Sequence, residues 1–200
     1  MVAACTALAP AAASIPAVGT PASAAPATSS AEKYSGSHKL KTVHVSGTQT
    51  LVQAPTEYRM HGDLIGDWTM APLQTLFQSK TLYVESGVER FVGCIDRNRN
   101  KHCGRREPSG ELRFAYLYWV SFGPNQQFIK GQCVHPVTGG NKDFKGARGL
   151  INMYDRPKGD EVLTTYKGKL SLNAVPSDAP LAPFPTPPKV TAQSFAARGC

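Results

Sequence analysis

Long apolar runs and amphipathic helices are both missing from this 200-residue chain. No stretch approaches the roughly eighteen apolar residues that a membrane-spanning helix needs, so no membrane span is expected. No segment carries a helix-period apolar face of useful length, which excludes a helical bundle. Charged residues make up 18% of the chain and apolar residues 41%, a balance typical of one globular domain with flanking tails.

The two ends of the chain lack the periodicity that would bury one face. Residues 1–30 are almost entirely Ala, Pro, Ser, Thr and Val, and residues 174–200 carry many prolines. This composition predicts a leader and a Pro-rich C-terminal tail, both disordered, around a folded domain at residues 38–173.

The leader indicates export. Ala22 and Ala24 have the small side chains and the spacing of a signal-peptidase site, although the Lys/Arg-rich start of a signal peptide is missing. We therefore expect a secreted, extracellular protein, and a disordered Ala/Pro linker in a cytosolic protein is the alternative. Residues 2–5 also resemble a lipoprotein acylation box, which leaves a lipid anchor at Cys5 open.

Removal of the leader would leave four cysteines, an even number that suits an oxidising compartment. They are Cys94, Cys103, Cys133 and Cys200. Cys94 and Cys103 flank one polar loop, so we expect a disulfide that closes a hairpin there. Pairing of Cys133 with Cys200 follows by elimination. A reduced protein with a buried Cys133 is the alternative.

Period-two alternation of apolar and β-branched residues dominates the folded domain. The clearest run is residues 112–122, where both faces carry large apolar groups. Similar runs occupy residues 42–52, 57–68, 74–84, 88–95, 126–135, 147–155 and 161–172. Eight short strands joined by local turns predict an all-β fold, an eight-stranded antiparallel β-barrel of the calycin type. A two-sheet sandwich is the competing architecture.

Residues 136–149 read Pro-Val-Thr-Gly-Gly-Asn-Lys-Asp-Phe-Lys-Gly-Ala-Arg-Gly. This segment resembles the dirigent-protein signature, and it is similar to the Gly-Gly…Phe-x-Gly-Ala…Gly stretch of allene oxide cyclases and their bacterial relatives. Residues 61–66 and 87–93 also look like secreted bacterial members of that barrel superfamily. The resemblance implies a hydrophobic pocket inside the barrel that steers a reactive intermediate without a metal or other cofactor. Asn141 and Lys142 depart from the usual Thr-Gly.

The resemblance carries one catalytic residue onto this chain, Arg148 of the Ala-Arg-Gly motif. Arg148 shares a strand face with Asn152 and Tyr154, so that face is either pocket lining or surface.

Alternation alone nominates Glu89 as a second catalytic residue and Tyr116 and Tyr118 as pocket residues. Glu89 is a carboxylate on an otherwise apolar face, where burial would suit it to acid–base catalysis. A structural ion pair at a strand end is the alternative. Tyr116 and Tyr118 would supply pocket walls and a hydroxyl group, with core packing as their alternative role.

The loop between Cys94 and Cys103 is strongly basic. Acidic and amide residues follow the spacing of a calcium loop at Asp96, Asn98, Asn100 and Glu107. Lys101 stands where such a loop requires glycine, so we expect no metal. The charge predicts instead a hairpin that attracts anionic partners such as cell-envelope polymers. Nucleic acid is not expected, because no aromatic residues interleave with the basic ones.

Two functions fit these patterns. The first is a secreted barrel that binds a small hydrophobic molecule and directs its cyclisation or coupling, acting as a cofactor-free isomerase or cyclase if it is an enzyme. The second is a non-catalytic extracellular module that binds anionic envelope polymers through the basic hairpin. The sequence leaves the ligand, the reaction and the oligomeric state open.

Overall fold

The computed structural model describes residues 41–53, 56–172, 181 and 183–185. Within these residues the chain forms eight strands and one 3-10 turn. The strands are β1 (Lys41–Gln53), β2 (Glu57–Gly62), β3 (Leu64–Gln78), β4 (Leu82–Ile95), β5 (Ser109–Phe122), β6 (Phe128–Gly140), β7 (Arg148–Lys158) and β8 (Glu161–Leu172), and the turn is Lys142–Phe144. No helix in this part of the chain has the length and hydropathy of a membrane span.

Each strand pairs antiparallel with the next, and β1 pairs with β8, so the sheet closes into a barrel. Closure leaves no open sheet edge between the first strand and the last. An eight-stranded barrel has an interior that side chains or one small ligand can fill. The prediction of an all-β, eight-stranded antiparallel barrel is confirmed, and the sandwich alternative is wrong.

Two turns lie inside segments that the sequence predicted as continuous strands. The chain reverses at Asp63, between β2 and β3, where Gly62 adopts φ +107° and the Asp63 carboxylate accepts hydrogen bonds from the N–H and hydroxyl of Ser46. A second reversal at Ser79 separates β3 from β4, and the Ser79 hydroxyl accepts the Leu82 N–H at 3.0 Å. The predicted strands at residues 57–68 and 74–84 were therefore wrong in their bounds.

The interior holds one contiguous apolar core, because alternate residues of each strand point inward. Trp68 of β3 stacks on Phe114 of β5 with ring centroids 4.7 Å apart. Phe144 of the 3-10 turn is fully buried, and its ring lies 6.5 Å from that of Phe91. The segment that carries the Gly-Gly turn thus inserts an aromatic side chain into the core.

The predicted disulfide between Cys94 and Cys103 is confirmed, and it closes the loop between β4 and β5. Cys133 is disulfide-bonded as well. Its predicted partner Cys200 lies outside the described residues, as do Cys5 and the leader at residues 1–30. The Cys133–Cys200 pairing stays a prediction.

Part of the predicted C-terminal tail packs against the barrel. The ring of Phe184 lies 5.0 Å from the guanidinium carbon of Arg90 and 4.7 Å from that of Arg113. Both arginines belong to paired positions of β4 and β5. Phe184 therefore contacts the outer face of the barrel through two cation–π interactions. The other tail residues, apart from Leu181, Pro183 and Pro185, lie outside the described residues.

Candidate functional site

A carboxylate and an imidazole meet in the barrel interior. Glu89 of β4 and His135 of β6 are both 0% exposed, and Glu89 Oε2 lies 2.9 Å from His135 Nε2. Both side chains point inward by strand alternation, Glu89 in phase with Phe91 and His135 in phase with Cys133. Two ionisable groups buried this deeply are retained only when they compensate each other.

The second ring nitrogen of His135 shows how many protons the pair holds. His135 Nδ1 lies 3.2 Å from the carbonyl oxygen of Ile151, and a carbonyl oxygen only accepts, so Nδ1 carries a hydrogen. The 2.9 Å contact between Nε2 and Glu89 Oε2 would bring two lone pairs together unless one of the two groups is protonated. That proton is on the ring, giving an imidazolium and a carboxylate, or on Glu89, giving a neutral pair. The pair therefore holds one transferable proton.

Several buried polar atoms of the barrel, including those of this pair, have unused hydrogen-bonding capacity. The Glu89–His135 contact is not aligned as a hydrogen bond, so neither Glu89 oxygen nor His135 Nε2 has a hydrogen-bond partner among the described residues. The same holds for Trp68 Nε1 and for the side-chain amide of Gln49 on β1. Each such group costs about 1–3 kcal/mol when buried, which makes a cluster of them unusual.

Aromatic rings surround His135. The Trp68 ring meets the imidazole edge-on with centroids 5.5 Å apart, and the rings of Phe114 and Tyr116 lie 6.4 and 6.3 Å away. These walls exclude water and lower the local dielectric constant. Charges and hydrogen bonds within the enclosure consequently act more strongly than they would at the surface.

A second buried carboxylate adjoins the site and is fully hydrogen-bonded. Glu85 accepts the Tyr116 hydroxyl at 3.0 Å and the Tyr83 hydroxyl at 2.6 Å, one on each carboxylate oxygen. Because the ring of Tyr116 also faces His135, this tyrosine connects the Glu85 cluster with the Glu89–His135 pair.

Asp155 of β7 completes the set of buried acids. Its side chain is 0% exposed and accepts the Thr164 hydroxyl at 2.6 Å. Burial raises the pKa of Asp155 to about 6, against the opposing effects of the Thr164 hydrogen bond and of His135, while the negative charge of Glu89 raises it further. Asp155 thus interacts electrostatically with both members of the pair.

The nominated residues divide between the two sides of the barrel wall. Glu89, Tyr116 and Tyr118 are buried in the interior. On β7 the inward face consists of Ile151, Met153 and Asp155, and the opposite face carries the exposed Arg148 and the half-buried Asn152 and Tyr154. The structure therefore buries the first group in the interior, with Glu89 and Tyr116 beside His135, and leaves the second group outside.

Sequence reasoning did not single out His135, Asp155, Trp68 or Gln49. A signal existed for two of them. His135 is in phase with Cys133 on the same strand, and Asp155 is in phase with Ile151 and Met153. A titratable residue in phase with apolar neighbours is the same pattern that nominated Glu89.

The acidic side chains that follow the spacing of a calcium loop accept hydrogen bonds from the backbone of their own loop. The two Asp96 carboxylate oxygens accept the N–H groups of Asn100 and Lys101, and Glu107 accepts the Gly104 N–H at 2.6 Å. Among the described residues, no group of three or more His, Cys, Asp or Glu side chains is arranged to hold a metal ion. The acidic side chains here stabilise the loop backbone.

Fold and site together define a closed, eight-stranded antiparallel β-barrel with a polar, titratable cluster inside an aromatic enclosure. Comparison with protein-family models, with characterised proteins and with solved structures gives no match. The resemblance to dirigent proteins and allene oxide cyclases therefore stays a prediction based on the Gly139–Gly140 segment.

Proposed function

We propose that this protein is a secreted barrel that binds a small, largely apolar organic molecule in its interior. We also propose that it transfers a proton on that molecule, acting as a cofactor-free isomerase or cyclase. The observation that carries the proposal is the buried Glu89–His135 pair, which holds one transferable proton and has unused hydrogen-bonding capacity. A carboxylate and an imidazole in contact inside an enclosed, apolar site are typical of acid–base catalysis.

The surrounding walls define the class of ligand. Trp68, Phe114 and Tyr116 present apolar ring surfaces to the pair, so most of the ligand must be apolar. The buried Trp68 N–H and the Gln49 amide require a few polar atoms on it, because otherwise these groups stay unsatisfied. A ketone or enone with a hydrocarbon skeleton meets both requirements.

The proposed reaction is a proton transfer next to a carbonyl group, and it needs no cofactor. In its carboxylate form, Glu89 removes a proton from the carbon next to the carbonyl group, and the electron pair of that C–H bond moves into the carbonyl to form an enolate. The Trp68 N–H hydrogen-bonds to the enolate oxygen. Return of the proton to a different carbon yields an isomer. In an enone, attack of the enolate carbon on the distal carbon of the C=C bond closes a ring; the π pair of that bond moves to form a second enolate, which takes the proton back from Glu89.

The proposal includes export of the protein from the cell. Disulfides persist in oxidising compartments, and the Cys94–Cys103 bond spans a loop that faces solvent. Ala22 and Ala24 supply the cleavage site that export requires. Detection of mature protein in the culture medium, with its new N-terminus read by mass spectrometry, tests this part.

Proton transfer is tested with 5-nitrobenzisoxazole, an apolar probe of buried bases. A base removes its ring C–H proton, the N–O bond breaks, and a coloured nitrophenolate is released. We expect saturable turnover by the wild type and at least about a tenfold lower rate for Glu89→Gln. The matched control is Glu161→Gln, because Glu161 is an exposed carboxylate at the start of β8. Equal rates for the two variants contradict the proposed base.

Binding is tested separately with the uncharged fluorophore N-phenyl-1-naphthylamine. We expect saturable fluorescence enhancement by the wild type and by Glu89→Gln, because this substitution keeps the size and shape of the side chain. Replacement of Trp68 by alanine removes one ring of the enclosure and is expected to weaken probe binding. Absence of saturable binding by the wild type contradicts the interior ligand site.

A further inference from the structure

A cleft of about 680 Å³ lies on the outside of the barrel, between the β2–β3 turn and the disulfide loop. Its volume falls within the range of small-molecule sites. The charged and titratable residues that line it are Arg59, His61, Asp63, Asp96, Arg99 and Lys101. None of these residues belongs to the interior cluster around His135.

Two basic residues of the disulfide loop line the cleft in an uncommon backbone conformation. Arg99 has φ +57° and Lys101 has φ +65°, both in the left-handed region that non-glycine residues rarely adopt. The Cys94–Cys103 bond and the Asp96 carboxylate, which accepts the Lys101 N–H at 2.7 Å, hold the loop in this shape. Such strained positions concentrate at ligand-binding sites.

The carboxylates of the cleft already accept hydrogen bonds from the protein, whereas two of its cationic side chains are available to bind an anion. Asp63 Oδ2 accepts the N–H and hydroxyl of Ser46, and both oxygens of Asp96 accept loop N–H groups. Arg99 Nε lies 3.7 Å from Asp63 Oδ1, a loose and exposed contact. The Lys101 ammonium forms no ion pair with any described residue.

Arg59 and Ile65 also line the cleft. Arg59 forms a 2.9 Å ion pair with Asp67, so it contributes less free charge than the loop cations do. Ile65 adds an apolar surface. The cleft thus combines an anion site with the mixed polar and apolar surface on which a sugar ring packs.

We propose that this cleft binds a saccharide unit carrying a tetrahedral oxyanion, either a sulfated or a phosphorylated sugar. Arg99 and Lys101 hold the oxyanion by charge-assisted hydrogen bonds, and the remaining wall contacts the sugar ring. The volume exceeds what a single inorganic anion needs, which is why a sugar is proposed in place of free sulfate or phosphate. This site acts independently of the interior one.

The test is calorimetric titration of the full chain with a sulfated dextran oligosaccharide, a phosphorylated mannan oligosaccharide, unmodified dextran and inorganic sulfate. We expect binding of at least one charged oligosaccharide, none of dextran, and far weaker binding of sulfate. The double variant Arg99→Gln/Lys101→Gln is expected to lose at least about tenfold in affinity. A preference between the two charged oligosaccharides identifies the oxyanion.

The matched control is the double variant Arg105→Gln/Arg106→Gln, which removes the same charge from the same loop but from residues that do not line the cleft. We expect it to stay within about twofold of the wild type. Equal losses in the two double variants overturn the proposal, because they indicate general attraction to the basic loop. Inorganic sulfate that binds as tightly as the oligosaccharides, or no binding of either charged oligosaccharide, overturns it too. The Glu89→Gln variant keeps oligosaccharide binding, which separates this site from the interior one.

Discussion

His135 Nε2 lies 2.9 Å from Glu89 Oε2, while His135 Nδ1 faces the carbonyl of Ile151 at 3.2 Å. Three strands, β4, β6 and β7, thus hold one imidazole. Closure of the barrel is what fixes these distances, since the interior is too narrow for either side chain to reach solvent.

Removal of one member of the pair is expected to destabilise the fold more than removal of both. Glu89→Leu leaves the buried imidazole without its partner, and His135→Leu does the same to the buried carboxyl group, so each costs about 3–5 kcal/mol of unfolding free energy. The double variant replaces both by apolar groups and is expected to recover part of that loss. Urea denaturation of the four proteins gives the coupling energy, and strictly additive losses contradict a direct interaction.

Asp155 makes stability depend on pH. Its folded-state pKa of about 6 lies above the ordinary 3.8, so the folded protein binds this proton more tightly than the unfolded chain does. The contribution is fully present below about pH 4 and is lost as the pH rises through about 6, a change of about 3 kcal/mol. Urea denaturation of Asp155→Asn relative to wild type measures it.

Because an asparagine side chain does not ionise, the Asp155→Asn variant is expected to gain stability relative to wild type between about pH 4 and pH 7. Asp160→Asn, an exposed change in the β7–β8 turn, serves as the control and is expected to show no such gain. A constant difference between Asp155→Asn and wild type across this range contradicts the raised pKa.

The period-two alternation of side chains along the strands explains why the barrel could be predicted from the sequence and the interior site only in part. Runs such as residues 112–122 encode which residues share a face, and that pattern suffices for the number of strands and the all-β class, although it left a two-sheet sandwich open. It does not reveal which face is inward when both carry similar side chains. On β7, one face holds Ile151 and Met153 and the other holds Leu150 and Tyr154, so alternation left open whether the face of Arg148 lines a pocket or the surface.

Contacts between distant strands were beyond the reach of the same pattern. Glu89 was nominated because its apolar neighbours are visible along one strand. Its partner His135 lies two strands further along the chain, and only the curvature of the barrel across β5 brings the two together. The turn at Asp63 was missed because period-two alternation continues through it, while the Ser46 contacts that hold it are tertiary.

Loss of the disulfide is expected to destabilise the protein moderately. The bond joins residues 9 positions apart, and a loop of this length corresponds to about 3 kcal/mol in the chain-entropy model. Thermal unfolding of Cys94→Ala/Cys103→Ala, compared with the wild type in the oxidised and the reduced state, measures the loss. An unchanged melting temperature in the variant contradicts a stabilising role for this bond.

Gly149, the last residue of the Gly-Gly…Ala-Arg-Gly segment, is expected to be indispensable for pairing of β7 with β8. It adopts φ +144°, and a Cβ added there would lie 2.1 Å from the carbonyl oxygen of Lys169 on the neighbouring strand. Gly149→Ala therefore combines backbone strain with a backbone clash and is expected to cost about 3 kcal/mol or more.

Gly159 is the matched control, because it has φ +63° but no atom within 4 Å of an added Cβ. Gly159→Ala is expected to cost only about 1 kcal/mol, from strain alone. Urea denaturation of both variants separates the cost of backbone strain from the cost of the clash with the neighbouring strand. Equal losses of stability in the two variants would show that the close approach of the strands contributes nothing to the requirement for glycine at position 149.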